Sequence, residues 1–581
     1  MTNQSSYVGL LYSRDLEFAN FKVHGTLFHL KTLDRLSFDD IPLSVQKKTS
    51  TKLRSLEKKH KNIVECIIIF DKTKANIDII FSRAAKIRRQ NYLDVMKKLV
   101  EQRVLSIQDV IKKIPLNYIS SWIAPCIDPA PKPDLVIYHG NALTYGVGRG
   151  VLLYGLSSIK KSLKEGKKVI MLAAKLKQED LEIFGSLSGI ILTKSGPTSH
   201  AAVIAKGLGI PCILVDGGSN FSQYVGSEVT LDADRGILYK GFLPVKTQPQ
   251  PKFFNKLMKE AVGYSKLGIA SNADTRKDAL LANSYFAQGV GLCRTEHMFL
   301  NKDGRSLVRK ILFSKTITKK EQAIFTEKQK NDFYDLFLTQ AGKYVVVRLL
   351  DAPLNEFMKN SSKDSVLHEE NPMLGFRGAR FLLQKPEVMR MQVEAVCQAV
   401  NLLHEENKNI QIKFEIPMVM DIVEIEIFRN IVEEEVSKIQ FRRKFDYKIG
   451  TMIEIPRTAY LIKEIASKVD FISFGTNDLT QMFCGLSRDD SERFLGFYQK
   501  KGVFADNPFI SLDEKGVGAF VAETSKKAFL TNPDIEISIC GEQAAHPASI
   551  QFLLKTHINT ISCSASRLPI ALFASAKYSL N

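Results

Sequence analysis

Eight short apolar runs recur between residues 267 and 566, and each is followed at once by polar residues. Helical patterns fill the intervals between them. A short apolar run bounded by polar residues is typical of a buried parallel strand. The runs read LGIASNAD, GVGLCRTE, YVVVRLLD, IKFEIPMV, IGTMIEIPR, FISFGTNDLT, IEISICGE and TISCSAS. Eight strand–helix units predict an α/β fold with a (β/α)8 barrel over residues 261–581, whose active site lies at the C-terminal ends of the strands.

The chain before the barrel divides into three regions. Residues 116–245 alternate buried strands, such as KKVIMLAA and GIILT, with the helical segment HAAVIAKGLGI, which predicts a β/α domain. Residues 1–115 mix short apolar runs with lysine-rich helical stretches and are predicted to form an α+β region. The stretch VKTQPQPKF carries two prolines and few groups to bury, so residues 246–260 are predicted to be a linker.

Length and composition place the chain among soluble globular proteins. With 581 residues, 45% of them apolar and 25% charged, it is too long for one hydrophobic core. No apolar run approaches the roughly 20 residues of a membrane helix, and the start MTNQSSYVGLLYSRD lacks the layout of a secretory signal. The eight cysteines include no CxxC pair, which argues against a zinc ribbon or a disulfide framework. We therefore expect a cytoplasmic protein without a membrane segment.

The net charge of +19 raises the question of a nucleic-acid partner. However, the lysines are spread through helical stretches and are not gathered in a tract with interleaved aromatic residues. The charge fits either a lysine-rich composition or attraction of small anionic substrates. We expect no nucleic-acid partner.

Two carboxylates follow neighbouring strands of the predicted barrel. Glu454 lies in IGTMIEIPR and Asp478 in FISFGTNDLT. One carboxylate alone is more often part of a structural salt bridge, but two at successive strand ends favour a Mg²⁺ site completed by substrate oxygens. Asn477 is a candidate hydrogen-bond donor to a phosphate, as are the backbone N–H groups around Gly475 and Thr476.

Three arginines of the predicted barrel region are further candidates. Arg294 and Arg348 occur in GLCRTE and VVVRLLD, and Arg377 occurs in GFRGAR. Arg348 sits inside an apolar run, where an unpaired charge is costly. It either pairs with a neighbour such as Asp351 or grips a phosphate or carboxylate. Several arginines facing one barrel mouth favour an anionic substrate.

Two residues are candidates for the reacting groups. Cys540 ends the run ISIC, with Glu542 two residues on, and is either a buried packing residue or a proton donor. His200 lies in SGPTSHAAVIAKGLGIP, at the first turn of a predicted helix. Free N–H groups and the helix dipole favour an anion there, which suits a phosphorylated imidazole.

Together these segments resemble the phosphoenolpyruvate-utilising enzymes, which include pyruvate phosphate dikinase, phosphoenolpyruvate synthase and Enzyme I of the sugar phosphotransferase system. The resemblance is to the dikinase above all, and it runs from about residue 116 to the C-terminus. It is carried by the segments GVGLCRTEHMF, VVVRLLDAPLNEF, HEENPMLGFRGAR, GTMIEIPR, FISFGTNDLTQM, SRDD and CGEQAAHPASI.

The resemblance implies a role for each candidate residue. Residues 116–245 are implied to be a swivelling phosphohistidine domain in which His200 carries the phosphoryl group, and Cys540 is implied to protonate the methylene carbon of the pyruvate enolate. Thr198 matches a threonine that some dikinases use for regulatory phosphorylation. The substrate-binding set implied by the family comprises Arg294, Arg348, Arg377, Asp351, Glu454, Ser473, Gly475, Thr476, Asn477 and Asp478, with Glu454 and Asp478 holding Mg²⁺.

The chain departs from the family pattern in three places. Before the Thr-Ser-His triplet it has Ser195-Gly196-Pro197 where the family usually has two glycines, and proline removes an N–H group. After Cys540 it reads GEQAAHP, where the dikinase usually reads GEHGGDP. Residues 1–115 resemble only parts of the family's ATP-grasp domain, so we expect a truncated nucleotide region.

Three functions follow from this comparison. The first is a dikinase-type phosphotransferase that performs the phosphoenolpyruvate half-reaction, with the ATP half performed by a separate nucleotide-binding subunit or not at all. The second is a phosphocarrier like Enzyme I that passes the phosphoryl group to a phosphoacceptor protein. The third is a non-catalytic regulatory paralogue. The family also implies a homodimer formed through the barrel.

Overall fold

The structure is a computed structural model of the 581-residue chain. It describes residues 6–12, 24–29, 35–71, 76–84, 91–123, 125–127, 131–144, 146–173, 183, 186–193, 210–215, 221–247, 251–299, 302–314, 316–351, 369, 371, 374–487 and 491–581. The chain forms two compact units. The first unit comprises Met1–Tyr118, Gln250–Tyr264 and Ala576–Asn581, and the second comprises Ile119–Pro249 and Ser265–Ser575.

The first unit contains a five-stranded antiparallel sheet of order β3-β2-β1-β4-β5. Leu27, Leu53 and Ile68 belong to the buried core beside it. Its strands are β1 (Ser6–Tyr12), β2 (His24–His29), β3 (Arg35–Ser37), β4 (Val64–Asp71) and β5 (Asn76–Ala84), and its helices include Leu43–His60, Tyr92–Glu101, Ile107–Lys113 and Lys252–Tyr264. The predicted α+β character is confirmed, while kinship with an ATP-grasp domain stays a prediction.

The predicted linker at residues 246–260 is wrong over most of its length. Residues 252–260 belong to the helix Lys252–Tyr264. Phe254, Leu257, Met258 and Ala261 are buried along one side of this helix, because they follow the i, i+3, i+4, i+7 spacing of an amphipathic helix. The helix belongs to the first compact unit.

The second unit contains an eight-stranded mixed sheet of order β7-β14-β13-β9-β10-β11-β12-β8. Strands β9 to β12 run parallel, and apolar clusters around Ile190 and Ile191 fill opposite faces of the sheet. The strands of this region, including the β6–β15 pair, are β6 (Pro125–Ile127), β7 (Val136–His139), β8 (Asn141–Ala142), β9 (Val147–Tyr154), β10 (Val169–Ala173), β11 (Gly189–Leu192), β12 (Cys212–Leu214), β13 (Glu228–Asp232), β14 (Ile237–Lys240) and β15 (Val245–Thr247).

The second unit also contains a closed barrel of eight parallel strands, each formed by one of the eight predicted runs. The barrel prediction is therefore confirmed. The strands are β16 (Gly268–Asn272), β17 (Gly289–Arg294), β18 (Tyr344–Arg348), β19 (Gln411–Ile416), β20 (Asp446–Ile453), β21 (Phe471–Gly475), β22 (Glu536–Cys540) and β23 (Thr560–Ser564).

Helices connect the barrel strands in the order expected of strand–helix units. They are Arg276–Ser284, Lys302–Phe313, Lys319–Thr339, Ala379–Gln384, Pro386–Glu405, Ile422–Ser437, Pro456–Tyr460, Ile462–Ala466, Thr476–Cys484, Glu492–Lys500, Ala519–Thr531, Pro547–Leu553 and Leu568–Ser579; two further helices before the barrel are Leu116–Ile123 and Leu156–Lys164. In the part of the chain that the structure describes, none of the helices has the length and apolar character needed to cross a membrane.

Candidate active site at the C-terminal end of the barrel

Polar side chains gather at the C-terminal ends of the barrel strands, where the run pattern predicts them. Arg348, the last residue of β18, is in register with Glu415 of β19. Cys540, the last residue of β22, is in register with Gly475 of β21. Because side chains alternate between the two faces of a strand, the fold brings a cation, a carboxylate and a thiol to the same end of the barrel interior.

Arg348 is held by two carboxylates. One of its terminal nitrogens donates to Glu296, and Nη1 lies 3.3 Å from Oδ2 of Asp351. Arg348 is 8% exposed, and Glu296 and Asp351 are buried. Nε of Arg348 completes no hydrogen bond with the described residues. The predicted pairing with Asp351 is therefore observed, and the guanidinium keeps a donor that a bound anion could use.

Arg377 shares Asp351 with Arg348. Its Nε donates to Oδ1 of Asp351 at 2.7 Å, and Nη2 donates to Oδ2, so the pair is bidentate. Its Nη1 also lies 3.7 Å from Oδ1 of Asp478. Burial acts to raise the pKa of Asp351, but the two guanidinium groups outweigh it and hold that pKa below its usual value. Asp351 therefore stays ionised and holds the side chains of the two arginines next to each other.

Glu454 is fully buried at the end of β20. Its Oε1 accepts a hydrogen bond of 2.7 Å from the backbone N–H of Met418, a residue held in the left-handed region at φ 58°. Its Oε2 completes no hydrogen bond with the described residues. Burial, and then the negative charges of Asp478 and Asp351, raise the pKa of Glu454 well above its usual range. The charges of Arg348 and Arg377 act to lower this pKa but do not outweigh burial and the two carboxylates, so Glu454 lies in a deficit of positive charge.

A divalent cation fits this deficit. Glu454 and Asp478 offer hard carboxylate oxygens, and their mutual repulsion is what a cation would relieve. Among the described residues, no group of three or more His, Cys, Asp or Glu side chains is arranged to hold a metal by itself. Mg²⁺ commonly binds to one or two carboxylates together with water and substrate phosphate oxygens, so two protein ligands suffice.

Arg294 belongs to a separate cluster at the end of β17. Its Nη2 donates to Oδ2 of Asp274 at 2.7 Å, and Nδ1 of His297 lies 2.7 Å from the same oxygen. Burial acts to raise the pKa of Asp274, but His297 and Arg294 outweigh it and lower that pKa. The Arg294 side chain is 36% exposed, so it is the accessible member of the three predicted arginines.

Cys540 is 5% exposed, and its thiol donates to the backbone oxygen of Phe474 at 3.5 Å. Burial, followed by the charge of Glu415, raises the pKa of Cys540 to about 12. Thr476 donates to the backbone oxygen of Cys540 at 2.8 Å and fixes the end of its strand. The thiol therefore keeps its proton at neutral pH, as a proton donor must.

Gly475 and the start of the helix Thr476–Cys484 close this side of the site. A Cβ at Gly475 would lie 3.0 Å from Oε2 of Glu454, so glycine leaves room for the carboxylate. Asn477 and Asp478 follow in the first turn of the helix and are partly exposed. Ser473 is buried two residues before Gly475. The structure thus gathers the predicted substrate-binding residues of β21 beside Glu454.

The departure from the family pattern after Cys540 has a local explanation. Gln543 is buried, and its Nε2 donates to the backbone oxygens of Thr476 and Pro508 at 3.3 Å and 3.1 Å. Glu542 instead accepts from Arg567 at 3.0 Å and from the backbone of Ser564 at 3.1 Å. Gln543 therefore braces the helix that carries Asp478, while Glu542 is bonded to Ser564, the last residue of β23, and to Arg567 after it.

Glu415 is a site residue that the sequence analysis missed. It lies in the predicted strand IKFEIPMV, is fully buried, and neither of its carboxyl oxygens completes a hydrogen bond with the described residues. Burial raises the pKa of Glu415 to about 8, against the lowering effects of Arg348 and Ser473. The sequence did contain a signal for Glu415. Lys413 and Glu415 alternate with apolar residues, which places both side chains on one face of the strand and indicates a polar row inside the barrel.

Replacing Glu415 with glutamine should raise the melting temperature by more at pH 8 than at pH 5. Between about pH 4.5 and 8 the folded chain keeps the Glu415 proton that the unfolded chain releases, so stability falls as pH rises through this window. The effect is on the order of a few kcal/mol, and thermal denaturation at the two pH values measures it.

Glu435→Gln is the matched control for this prediction. Glu435 is also buried, but hydrogen bonds from Lys438 and Arg390 outweigh its burial and lower its pKa. The Glu435→Gln substitution should lower the melting temperature at both pH values. A glutamate whose pKa is lowered by folding stabilises the folded chain at every pH above the ordinary pKa of a glutamate, and both test values lie above it. If the difference in melting temperature between Glu415→Gln and the wild type is the same at pH 5 and at pH 8, Glu415 is not a buried carboxyl group with a raised pKa.

His200 and Thr198 lie outside the described residues, as does the Ser195-Gly196-Pro197 segment. Their predicted roles remain predictions. Of the remaining site residues named from the sequence, Arg348, Arg377, Asp351, Glu454 and Asp478 form one connected cluster through ion pairs and charge interactions. Glu296, Asp274 and His297, which the sequence analysis did not single out, hold the arginines in place.

Comparison with known families assigns both parts of the second unit. The family "PEP-utilising enzyme, PEP-binding domain" matches residues 250–579, which include the whole barrel. The family "PEP-utilising enzyme, mobile domain" matches residues 165–236, within the mixed sheet region. These matches agree with the resemblance stated from the sequence.

Curated relatives of the chain are named pyruvate, phosphate dikinase. The chain is 31% identical to that of Rhizobium meliloti over 563 residues, which cover 91% of this chain and 62% of the relative. The corresponding identities are 35% for Rickettsia bellii and 33% for Clostridium symbiosum, over 86% and 84% of this chain and 61% and 60% of the relatives. The chain thus spans about three fifths of their length. With more than half of its residues matching the PEP-binding domain, the chain belongs to the family of PEP-utilising enzymes.

Proposed function

We propose that this chain is a phosphotransferase that exchanges a phosphoryl group between phosphoenolpyruvate and His200 with Mg²⁺, as in pyruvate phosphate dikinase. The observation that carries the proposal is the buried cluster of Arg348, Arg377 and Asp351 beside Glu454 and Cys540. This cluster offers cationic donors, hard oxygen ligands and a protonated thiol at one end of the barrel. These are the groups that a phosphorylated enol requires.

In the proposed half-reaction, the bond between phosphorus and the enol oxygen breaks, and a bond from phosphorus to a ring nitrogen of His200 forms. Negative charge develops on the oxygen that leaves. The guanidinium groups of Arg294, Arg348 and Arg377 bind the phosphate and remain charged throughout, because arginine stays protonated in proteins. Asp351 keeps two of them oriented before the substrate arrives.

Glu454 and Asp478 would hold the metal through carboxylate oxygens, with Asn477 and the backbone around Gly475 and Thr476 close to the substrate. Bound there, Mg²⁺ would supply Lewis-acid stabilisation of the enolate oxygen. The proton that completes pyruvate comes from Cys540, whose thiol is still protonated at neutral pH because its pKa is raised to about 12.

The later fate of the phosphoryl group also belongs to the proposal. The relatives named pyruvate, phosphate dikinase support a dikinase-type role. We propose that a separate nucleotide-binding subunit or phosphoacceptor protein takes the group from His200. A barrel homodimer, which the family resemblance implies, and the expected cytoplasmic location complete the proposal.

Mg²⁺ dependence tests the metal part of the proposal. Glu454→Gln should lower phosphoenolpyruvate-dependent pyruvate formation at least 100-fold, and it should weaken Mn²⁺ binding measured by electron paramagnetic resonance. The reason is that glutamine keeps the hydrogen-bonding oxygen for Met418 but removes the charge that attracts the cation. The metal titration gives a readout that does not require turnover.

Asp446→Asn is the matched control for the metal test. Asp446 begins β20, the strand that ends just before Glu454, and it is exposed with a hydrogen bond from Gln411. The Asp446→Asn variant should bind Mn²⁺ and form pyruvate as the wild type does. Equal Mn²⁺ affinity in Glu454→Gln and the wild type would remove Glu454 from the metal site.

A further inference from the structure

Glu415 has no part in the half-reaction described above, although it lies at the centre of the site. It faces Arg348 of β18, with which it is in register, and it interacts with Ser473 of β21 and Cys540 of β22. It is fully buried, and its oxygens complete no hydrogen bond with the described residues. A buried carboxyl group without hydrogen bonds destabilises a fold, which points to a functional reason for its presence.

Ser473 connects Glu415 to the thiol. It is buried two residues before Gly475, which is in register with Cys540, so its side chain lies on the same face of β21 as that position. Ser473 also lowers the pKa of both Glu415 and Cys540, and its Oγ completes no hydrogen bond of standard geometry with the described residues. A hydroxyl can donate one proton while it accepts another. Ser473 is therefore free to rotate between the carboxyl group and the thiol.

Cys540 needs such a partner. Once the thiol has given its proton to the enolate carbon, a thiolate remains at a position that is only 5% exposed. Burial and the neighbouring carboxylates disfavour that charge, and solvent has little access to neutralise it. A second turnover requires the proton to be replaced.

We propose that Glu415 returns a proton to the Cys540 thiolate after each enolate protonation, through the hydroxyl of Ser473. The inference rests on the proposed function. The sulfur takes the Ser473 hydroxyl proton, and the Ser473 oxygen takes the proton from the Glu415 carboxyl group. The number of protons and the total charge do not change: the thiolate becomes a thiol and the carboxyl group becomes a carboxylate.

The surroundings favour this direction of transfer. Arg348 is the largest lowering influence on the pKa of Glu415, so it stabilises the carboxylate formed there, whereas its effect on the Cys540 thiolate is smaller than those of burial, Glu415 and Glu454. The pKa of Glu415, about 8, lies below that of Cys540, about 12, so the proton moves to sulfur. In the reverse direction the Glu415 carboxylate removes the thiol proton, so that Cys540 can deprotonate the methyl group of pyruvate.

The exchange of ³H from water into the methyl group of pyruvate, in the presence of phosphoenolpyruvate, tests the inference without any nucleotide or acceptor. Label enters the methyl group only when the proton that Cys540 has given up is replaced by one that does not come from the substrate. The wild-type exchange rate should fall as pH rises through about 8, because Glu415 then stays ionised. Glu415→Gln should lower the rate at pH 7 at least tenfold and abolish that fall, while Glu415→Asp should restore part of the rate and the pH dependence.

Controls separate this inference from the proposed function and from misfolding. Glu435→Gln should keep the wild-type pH dependence, and Glu415→Met supplies an apolar variant of similar volume if glutamine does not fold. An active wild type whose exchange rate and pH profile are unchanged in Glu415→Gln overturns the inference alone. A wild type that neither exchanges label nor phosphorylates His200 from ³²P-labelled phosphoenolpyruvate overturns the proposed function, and this inference with it.

Discussion

Replacing Arg377 with methionine is expected to lower the free energy of unfolding by about 3 kcal/mol and to abolish phosphoenolpyruvate binding. Arg377 is 3% exposed and forms a bidentate pair with Asp351, which is fully buried. Its removal leaves Arg348, at 3.3 Å, as the ion-pair partner of Asp351 among the described residues. Because the guanidinium of Arg348 remains beside Asp351, the decrease in the free energy of unfolding should lie near the lower end of the range for broken buried ion pairs.

Urea denaturation and a phosphoenolpyruvate binding titration measure the two effects, with Arg390→Met as the matched control. Arg390 also pairs with two carboxylates, Glu434 at 2.7 Å and Glu435 at 2.6 Å, but its side chain is 36% exposed. Removing Arg390 should lower the free energy of unfolding by less than about 1 kcal/mol and leave phosphoenolpyruvate binding intact, because solvent reaches and screens its guanidinium group. Normal stability and normal phosphoenolpyruvate affinity in Arg377→Met would show that the buried cluster does not hold the substrate.

Replacing Cys540 with alanine should lower pyruvate formation from phosphoenolpyruvate by a factor of about 100 to 10,000, the usual contribution of a positioned general acid. The thiol is buried at the end of β22, and its raised pKa of about 12 keeps it protonated over the working range of pH. Alanine has no proton to give. The rate of pyruvate release, measured with a coupled lactate dehydrogenase assay, gives the result.

Cys563→Ala is the matched control for the thiol. Cys563 is equally buried on the neighbouring strand β23, but the alternation of side chains places it on the other face from Ser562, which lines the barrel interior. It should keep wild-type pyruvate formation. If Cys540→Ala forms pyruvate at the wild-type rate, another group protonates the enolate.

The barrel could be predicted from the sequence because its strands leave a strong signal. A parallel strand is covered on both faces, so it reads as a short apolar run, and the turn that follows is polar. Glu454 and Asp478 stand out for the same reason, as carboxylates directly after such runs. Arg348 was recognisable because a charge inside an apolar run requires a partner.

Other site residues left weaker signals. Asp274 and His297 lie in ordinary-looking polar segments, and only the fold shows that they meet Arg294. Glu415 was hidden within a strand, although its alternation with Lys413 marks it as facing inward. These contacts depend on the register between strands that are distant in sequence. The pattern of apolar and polar residues in a single sequence does not reveal that register.

The linker prediction was wrong for a local reason. Two prolines in TQPQP favour an extended segment, and they drew attention away from KFFNKLMKEAVGY, whose apolar spacing is helical. Phe254 and Leu257 are fully buried, so the helix is part of a hydrophobic core. The apolar spacing was the better guide than the prolines.

Transfer of ³²P from phosphoenolpyruvate to the chain tests the central claim most directly. In the presence of Mg²⁺ the wild type should acquire an acid-labile label, and His200→Ala should acquire none. His557→Ala is the control, since His557 is exposed and stacks on Phe529, and it should be labelled as the wild type is. A wild type that takes up no label, or a His200→Ala variant labelled to the same extent, would contradict phosphoryl transfer to His200.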